Sequence, residues 1–69
     1  MMQSDPEEVK AVLAFIGDHP GVFYYEVERK FQHIYDQIAI IIGYLVNMGF
    51  VQYRTNDLDG ENRLRLFPR

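Results

Sequence analysis

Residues 34–51 read IYDQIAIIIGYLVNMGFV, and the fold turns on how this stretch is read. Ile34, Ile38, Ile42 and Leu45 fall within one arc at about 100° per residue, with Ile41 at its flank. β-Branched side chains are indifferent helix formers in isolation. A strand of this length, however, would be unusual in so small a domain. The spacing therefore predicts a helix from Ile34 to Met48, ended by Asn47-Met48-Gly49. The segment Ile38 to Val46 is apolar almost all round, the pattern of a helix covered on more than one side. Ile40, Ile41 and Tyr44 are the residues expected to meet whatever supplies the second cover, either a partner molecule or a core that wraps this helix more fully.

Downstream, Phe50-Val51-Gln52-Tyr53-Arg54 alternates and reads as a strand. A polar connection from Thr55 to Asn62 carries Asp59-Gly60, a hairpin signal. Arg63-Leu64-Arg65-Leu66-Phe67 alternates again, with the leucines expected inward and the arginines outward. Upstream, Ser4-Asp5-Pro6-Glu7 reads as a capping box at a helix start, Ser4 being the cap and Glu7 reaching back to it. Val9, Val12, Leu13 and Ile16 then form one stripe, and Gly17 is expected to stop this first helix after Ile16. Asp18-His19-Pro20-Gly21 is a turn, followed by a short extended Val22-Phe23. A second helix spans Tyr24 to Phe31, with Val27 and Phe31 on one face and no good N-cap, and Gln32-His33 turns the chain into the third.

The chain has 69 residues, room for one domain, and a net charge of −3. Its charge is uneven: residues 1–28 hold six acids against Lys10 alone, whereas residues 29–69 hold six arginines and lysines against four acids. The second part can thus present a mildly basic surface, or simply a solvated one. No cysteine is present, which rules out disulfides and thiolate metal sites. Met1 to Asp5 lack a signal-peptide start, and the longest apolar stretch is too short to span a bilayer, so a cytoplasmic protein with no membrane partner is expected.

The order helix, helix, helix, hairpin resembles the winged helix-turn-helix family. The resemblance rests on Val12-Leu13-Ala14-Phe15-Ile16, His19-Pro20-Gly21-Val22, Glu26-Val27 with Phe31, then Ile38, Ile42 and Leu45 leading into Met48-Gly49-Phe50-Val51, and the returning Arg63-Leu64-Arg65-Leu66. It covers nearly the whole chain and implies a single α+β domain over residues 1–69, with a three-helix core and a C-terminal two-stranded β-hairpin wing. It further implies a double-stranded DNA-binding transcriptional regulator acting as a homodimer, its third helix in the major groove and its wing on the backbone. Carried over to this chain, the outward face of the third helix is Asp36, Gln37, Ile40, Gly43, Tyr44 and Asn47. Gln37 and Asn47 would address base edges, while Arg29, Lys30, Arg54, Arg63 and Arg65 would hold phosphates.

Two features depart from that pattern. Residues 34–48 contain no lysine or arginine, although phosphate neutralisation supplies most non-specific DNA affinity. Asp57, Asp59 and Glu61 place acids at the wing tip. The alternative reading is a protein-interaction module that uses Ile40, Ile41 and Tyr44 and binds no DNA. Catalysis is not expected. His19 and His33 lie 14 positions apart without a matched carboxylate motif, the single serine is best placed as a helix cap, and there is no Gly-rich phosphate loop. Neither a metal, a cofactor nor a small-molecule substrate is implied.

Overall fold

The structure, a computed structural model, describes residues 5–56 and 63–69, the side chains of Asn56 and Arg63 excepted. The elements run α1 (Pro6–Asp18), β1 (Val22–Phe23), α2 (Tyr24–Lys30), a 3₁₀ turn (Gln32–Ile34), α3 (Tyr35–Asn47), β2 (Val51–Asn56) and β3 (Arg63–Pro68). Three helices and a three-stranded antiparallel sheet make an α+β fold.

Asp5 caps α1, its Oδ1 accepting from the Glu7 N–H at 2.9 Å, with Pro6 in the first turn where no helical N–H is lost. The expected cap, Ser4, lies outside the described residues. The far end corrects the sequence reading: α1 continues through Gly17 to Asp18. The helix closes instead at His19, whose N–H donates to the carbonyls of Phe15 and Ile16, and whose Nδ1 donates to the Phe15 carbonyl at 3.1 Å. The left-handed residue that redirects the chain is Gly21, at φ 85°. Only glycine takes that conformation without a steric cost.

From there the Gly21 N–H donates to the Leu66 carbonyl at 2.8 Å and starts β1 alongside β3. The sheet order is β1-β3-β2, with Val22 opposite Leu66 and Tyr53 opposite Leu66 on the other edge. The two C-terminal strands, expected to stand alone as a wing, belong to a three-stranded sheet, because Val22-Phe23 pairs with the returning strand. The hairpin tip, with Asp57, Asp59, Gly60 and Glu61, lies outside the described residues.

The helix over the decisive stretch is α3, one residue shorter at each end than the spacing predicts. It stops in a Schellman arrangement: Phe50 N–H donates to Leu45 O, Gly49 N–H donates to Val46 O, and Gly49 sits at φ 84°. Ile34, Ile38, Ile41, Ile42 and Leu45 are buried together with Val12 and Ile16 of α1, Val27 and Phe31 beside or on α2, and Val22, Val51 and Leu66 of the sheet. The sheet thus has one face on the helices and one turned away from them, as antiparallel sheets often do.

Candidate functional site

Two surfaces carry residues that the core does not use. The first lies along α3. Ile40 and Tyr44 are 55 % and 51 % exposed, one turn apart, with Ala39 and Gly43 beside them. Tyr24, Tyr53 and Leu64 form the facing wall, and together these residues line an open groove of about 620 Å³. A Cβ added to Gly43 would meet nothing within 4 Å, so the backbone of α3 is directly approachable there. The polar groups of the lining are tyrosine hydroxyls and the Asn47 amide. Tyr24 is half-buried on the wall. Burial pushes its phenol above the usual 10.0, with smaller repulsion from Glu28 and Tyr35.

The structure corrects the expected contact set on α3. Ile41, expected to meet a partner with Ile40, is only 1 % exposed and belongs to the core, facing Val12 and Ile16's cluster. The reason is angular: successive residues on a helix stand about 100° apart, so neighbours in sequence do not share a face. Gln37, expected on the outward face, is half-buried, and its Oε1 is enclosed without a hydrogen-bond partner. Asp36 and Asn47 are exposed at the two ends of the helix.

The second surface is the sheet face turned away from the helices. Alternation along β3 places Leu64 and Leu66 toward the helices and Arg65 and Phe67 away from them. Register adds Arg54 directly opposite Arg65, Gln52 opposite Phe67, and Phe23 of β1 opposite Arg65 on the other edge. The Arg54 guanidinium lies 5.3 Å from the Phe67 ring centre, and that of Arg65 lies 4.3 Å from the Phe23 ring centre. Arg65 Nη1 also donates to the Gly21 carbonyl at 3.4 Å. Phe23 stacks on Tyr25 at 5.5 Å, and Arg29 reaches within 6.0 Å of the Tyr25 ring centre. Lys30 is exposed at the end of α2.

The residues expected to contact DNA are therefore not gathered on one face. Gln37 and Asn47 belong to α3, whereas Arg54 and Arg65 lie on the far side of the sheet. Arg63 is opposite Asn56 in the register, and its side chain is not among those described. Sequence reading found the arginines but not the rings beneath them. The signal was present, since the alternation that turns Arg65 outward turns Phe67 outward as well. The pairing of β1 with β3, which delivers Phe23, has no comparable local signal.

Among the described residues, no three His, Cys, Asp or Glu side chains cluster as a metal site would require, and no helix is long and apolar enough to cross a membrane. Comparison of the chain with protein-family models, curated proteins and solved structures finds no match.

Proposed function

We propose that this protein is a non-catalytic binding module of winged-helix type that pairs with a second copy of itself through the exposed face of α3. The element order, the short turn before α3 and the C-terminal hairpin support the winged-helix reading. The observation that carries the function is the α3 groove, in which Ile40 and Tyr44 stand exposed with no cation on the helix. A face of this kind suits protein better than a phosphate backbone. Among the described residues, the groove lining holds no Ser, His, Asp or Glu.

Charge does not oppose a second copy as the occupant. The one formal charge on the exposed face of α3 is Asp36, at its N-terminal end. Two α3 helices packed antiparallel about Gly43 hold their Asp36 residues about 20 Å apart, at 1.5 Å per residue. That separation exceeds the Debye length of about 8 Å at physiological salt, so the pairing meets no like-charge penalty there. Ala39 and Gly43 let the two backbones approach closely, while Ile40 and Tyr44 of each copy cover the other's groove. A domain of 69 residues also stands to gain from such cover, because small cores supply little stability alone.

Sedimentation velocity over a range of protein concentrations tests the proposal. The wild-type chain is expected to shift from monomer to dimer, and Ile40→Asp to remain a folded monomer at every concentration. A wild-type chain that stays monomeric throughout, or an Ile40→Asp variant that dimerises equally well, contradicts it. Duplex-DNA reading by α3 gains little support, because the helix carries no cation to anchor it and the Gln37 carbonyl oxygen is enclosed.

A further inference from the structure

The sheet has one long edge. In the order β1-β3-β2 the central strand is paired on both sides, β1 is two residues long, and β2 runs six residues with no strand beyond it among the described residues. Two hydrogen bonds show which of its backbone groups face that edge. The Arg69 N–H donates to the Phe50 carbonyl at 3.0 Å, and these two residues stand one step outside the Val51–Pro68 pair. Bonded and non-bonded pairs alternate along an antiparallel ladder, so Gln52 and Arg54 turn their N–H and C=O groups to β3, and Tyr53 and Thr55 turn theirs away from it. The other side of β3 agrees: Leu66, opposite Tyr53, has its carbonyl turned toward β1, where it accepts from the Gly21 N–H. Val51 lies in the core, so the open part of the edge is Tyr53 and Thr55, both exposed.

Tyr53 and Thr55 therefore offer two N–H and two C=O groups at a repeat of about 6.8 Å, which only another extended backbone matches. Register is continuous from Val51 to Asn56, with no bulge or proline to spoil that edge. The side chains beside it are equally particular. Helix α3 packs on β2, whereas α1 and α2 pack on β3, so the α3 groove opens along the same edge. Tyr53, 57 % exposed, is the groove wall on the strand side, and Ile40, Gly43 and Tyr44 form it on the helix side. No Asp, Glu, Lys or Arg is among the lining residues.

We propose that the edge of β2 receives an extended peptide segment of another protein as a fourth strand, with uncharged apolar side chains at alternate positions entering the α3 groove. The backbone ladder at Tyr53 and Thr55 holds the segment whatever its sequence, and the groove selects its alternate residues. Charge complementarity sets their chemistry: the lining carries no formal charge, so an acid or a base entering it would lose water without gaining a partner. The peptide and a second copy of the chain share the α3 wall and compete for it. The edge itself plays no part in the α3 pairing, and the proposal does not rest on self-association.

The test begins with selection of a phage-displayed library of random heptapeptides on the full chain, followed by synthesis and fluorescence anisotropy of the peptides recovered. Those peptides should carry uncharged apolar residues at every second position. Each should slow amide hydrogen exchange at Tyr53 and Thr55 and leave Gln52 and Arg54, already bonded to β3, unchanged. N-Methylation of one peptide amide that faces β2 should weaken binding about tenfold or more, and N-methylation of its neighbour should not. Thr55→Pro removes an edge donor without breaking a bond to β3, and should weaken binding by a similar factor. Circular dichroism shows whether Thr55→Pro folds; if it does not, the N-methylated peptides decide alone. Recovery of no binding peptide, binding indifferent to N-methylation at either set of amides, or unchanged exchange at Tyr53 and Thr55 overturns the proposal. So does slow exchange of those two amides in the peptide-free chain that is relieved by dilution, because a second copy would then occupy the edge. A chain that binds peptide in this way yet sediments as a monomer throughout overturns self-association alone.

Discussion

Ile40 and Ile41 are adjacent and chemically identical, yet they stand on different faces of α3. Ile41 is 1 % exposed in the core, and Ile40 is 55 % exposed on the groove. Truncating a buried isoleucine to alanine removes its transfer free energy and leaves a cavity, at a cost of about 2–5 kcal/mol. A domain of this size has roughly 3–10 kcal/mol of stability in total, so Ile41→Ala consumes much of it and Ile41→Val, at about 0.5–1.5 kcal/mol, is the safer variant. Ile40 contributes little to the isolated chain, since more than half of it already meets water. Its remaining surface is what the proposed second copy would cover. Full burial of an isoleucine is worth about 1.5–3 kcal/mol, so covering the exposed half gives about 0.8–1.5 kcal/mol per copy. Two copies give roughly 1.5–3 kcal/mol, or about ten- to a hundredfold in Kd. Urea unfolding at low and high protein concentration separates the two effects. Ile41→Val should lower the midpoint at both concentrations. Ile40→Ala should leave it unchanged at low concentration and reduce the concentration-dependent gain expected for wild type. Equal losses from Ile40→Ala and Ile41→Ala at low concentration would refute the assignment of the two faces.

Gly21 and Gly49 share nearly the same backbone conformation, at φ 85° and 84°, but only Gly21 has neighbours for an added Cβ. Those neighbours stand at ordinary contact distance, so Gly21→Ala and Gly49→Ala should each cost about 1–2 kcal/mol for the backbone, seen as melting temperatures lowered by about 4–16 °C. Either substitution melting at the wild-type temperature would show that the left-handed turn is not required. Tyr24 tests the groove wall by pH. The fold raises its phenol above the ordinary value, chiefly through burial, and so favours the neutral form. Its stabilising contribution is complete below pH 10 and is lost as the pH rises through the folded-state value. Ultraviolet difference titration of wild type against Tyr24→Phe should assign the missing signal to a late-titrating tyrosine; a missing signal at the ordinary value would show the hydroxyl to be solvated.

Much of the architecture is legible in local pattern. The 3.6-residue spacing of Ile34, Ile38, Ile42 and Leu45 determines α3, and alternation in residues 63–67 determines which side of β3 meets the helices. Boundaries were harder where two signals compete. Gly17 reads as a stop, yet the helix runs through it because the bonds that close α1 come from His19 and the reversal comes from Gly21. The exposed stripe on α3 was half legible: a helix apolar all round announces apolar surface beyond the core face, but only the angular position separates exposed Ile40 from buried Ile41. The arginine–aromatic face was not legible as a unit. It requires β1, two residues long and remote in sequence, to pair with β3 and bring Phe23 beneath Arg65. Non-local strand pairing of this kind leaves little mark on the strand itself.

In the proposed pairing two α3 helices cross at Gly43, and a single cysteine there tests this most directly. The chain has no cysteine of its own, so Gly43→Cys and a control, Ala11→Cys on the exposed side of α1, each carry one thiol. Under mild oxidation, non-reducing electrophoresis should show Gly43→Cys converted quickly to a disulfide-linked dimer, as thiols at a close helix crossing can reach disulfide geometry. Ala11→Cys should stay monomeric over the same time. Equal rates for the two variants, or no dimer from Gly43→Cys, would contradict pairing through this face.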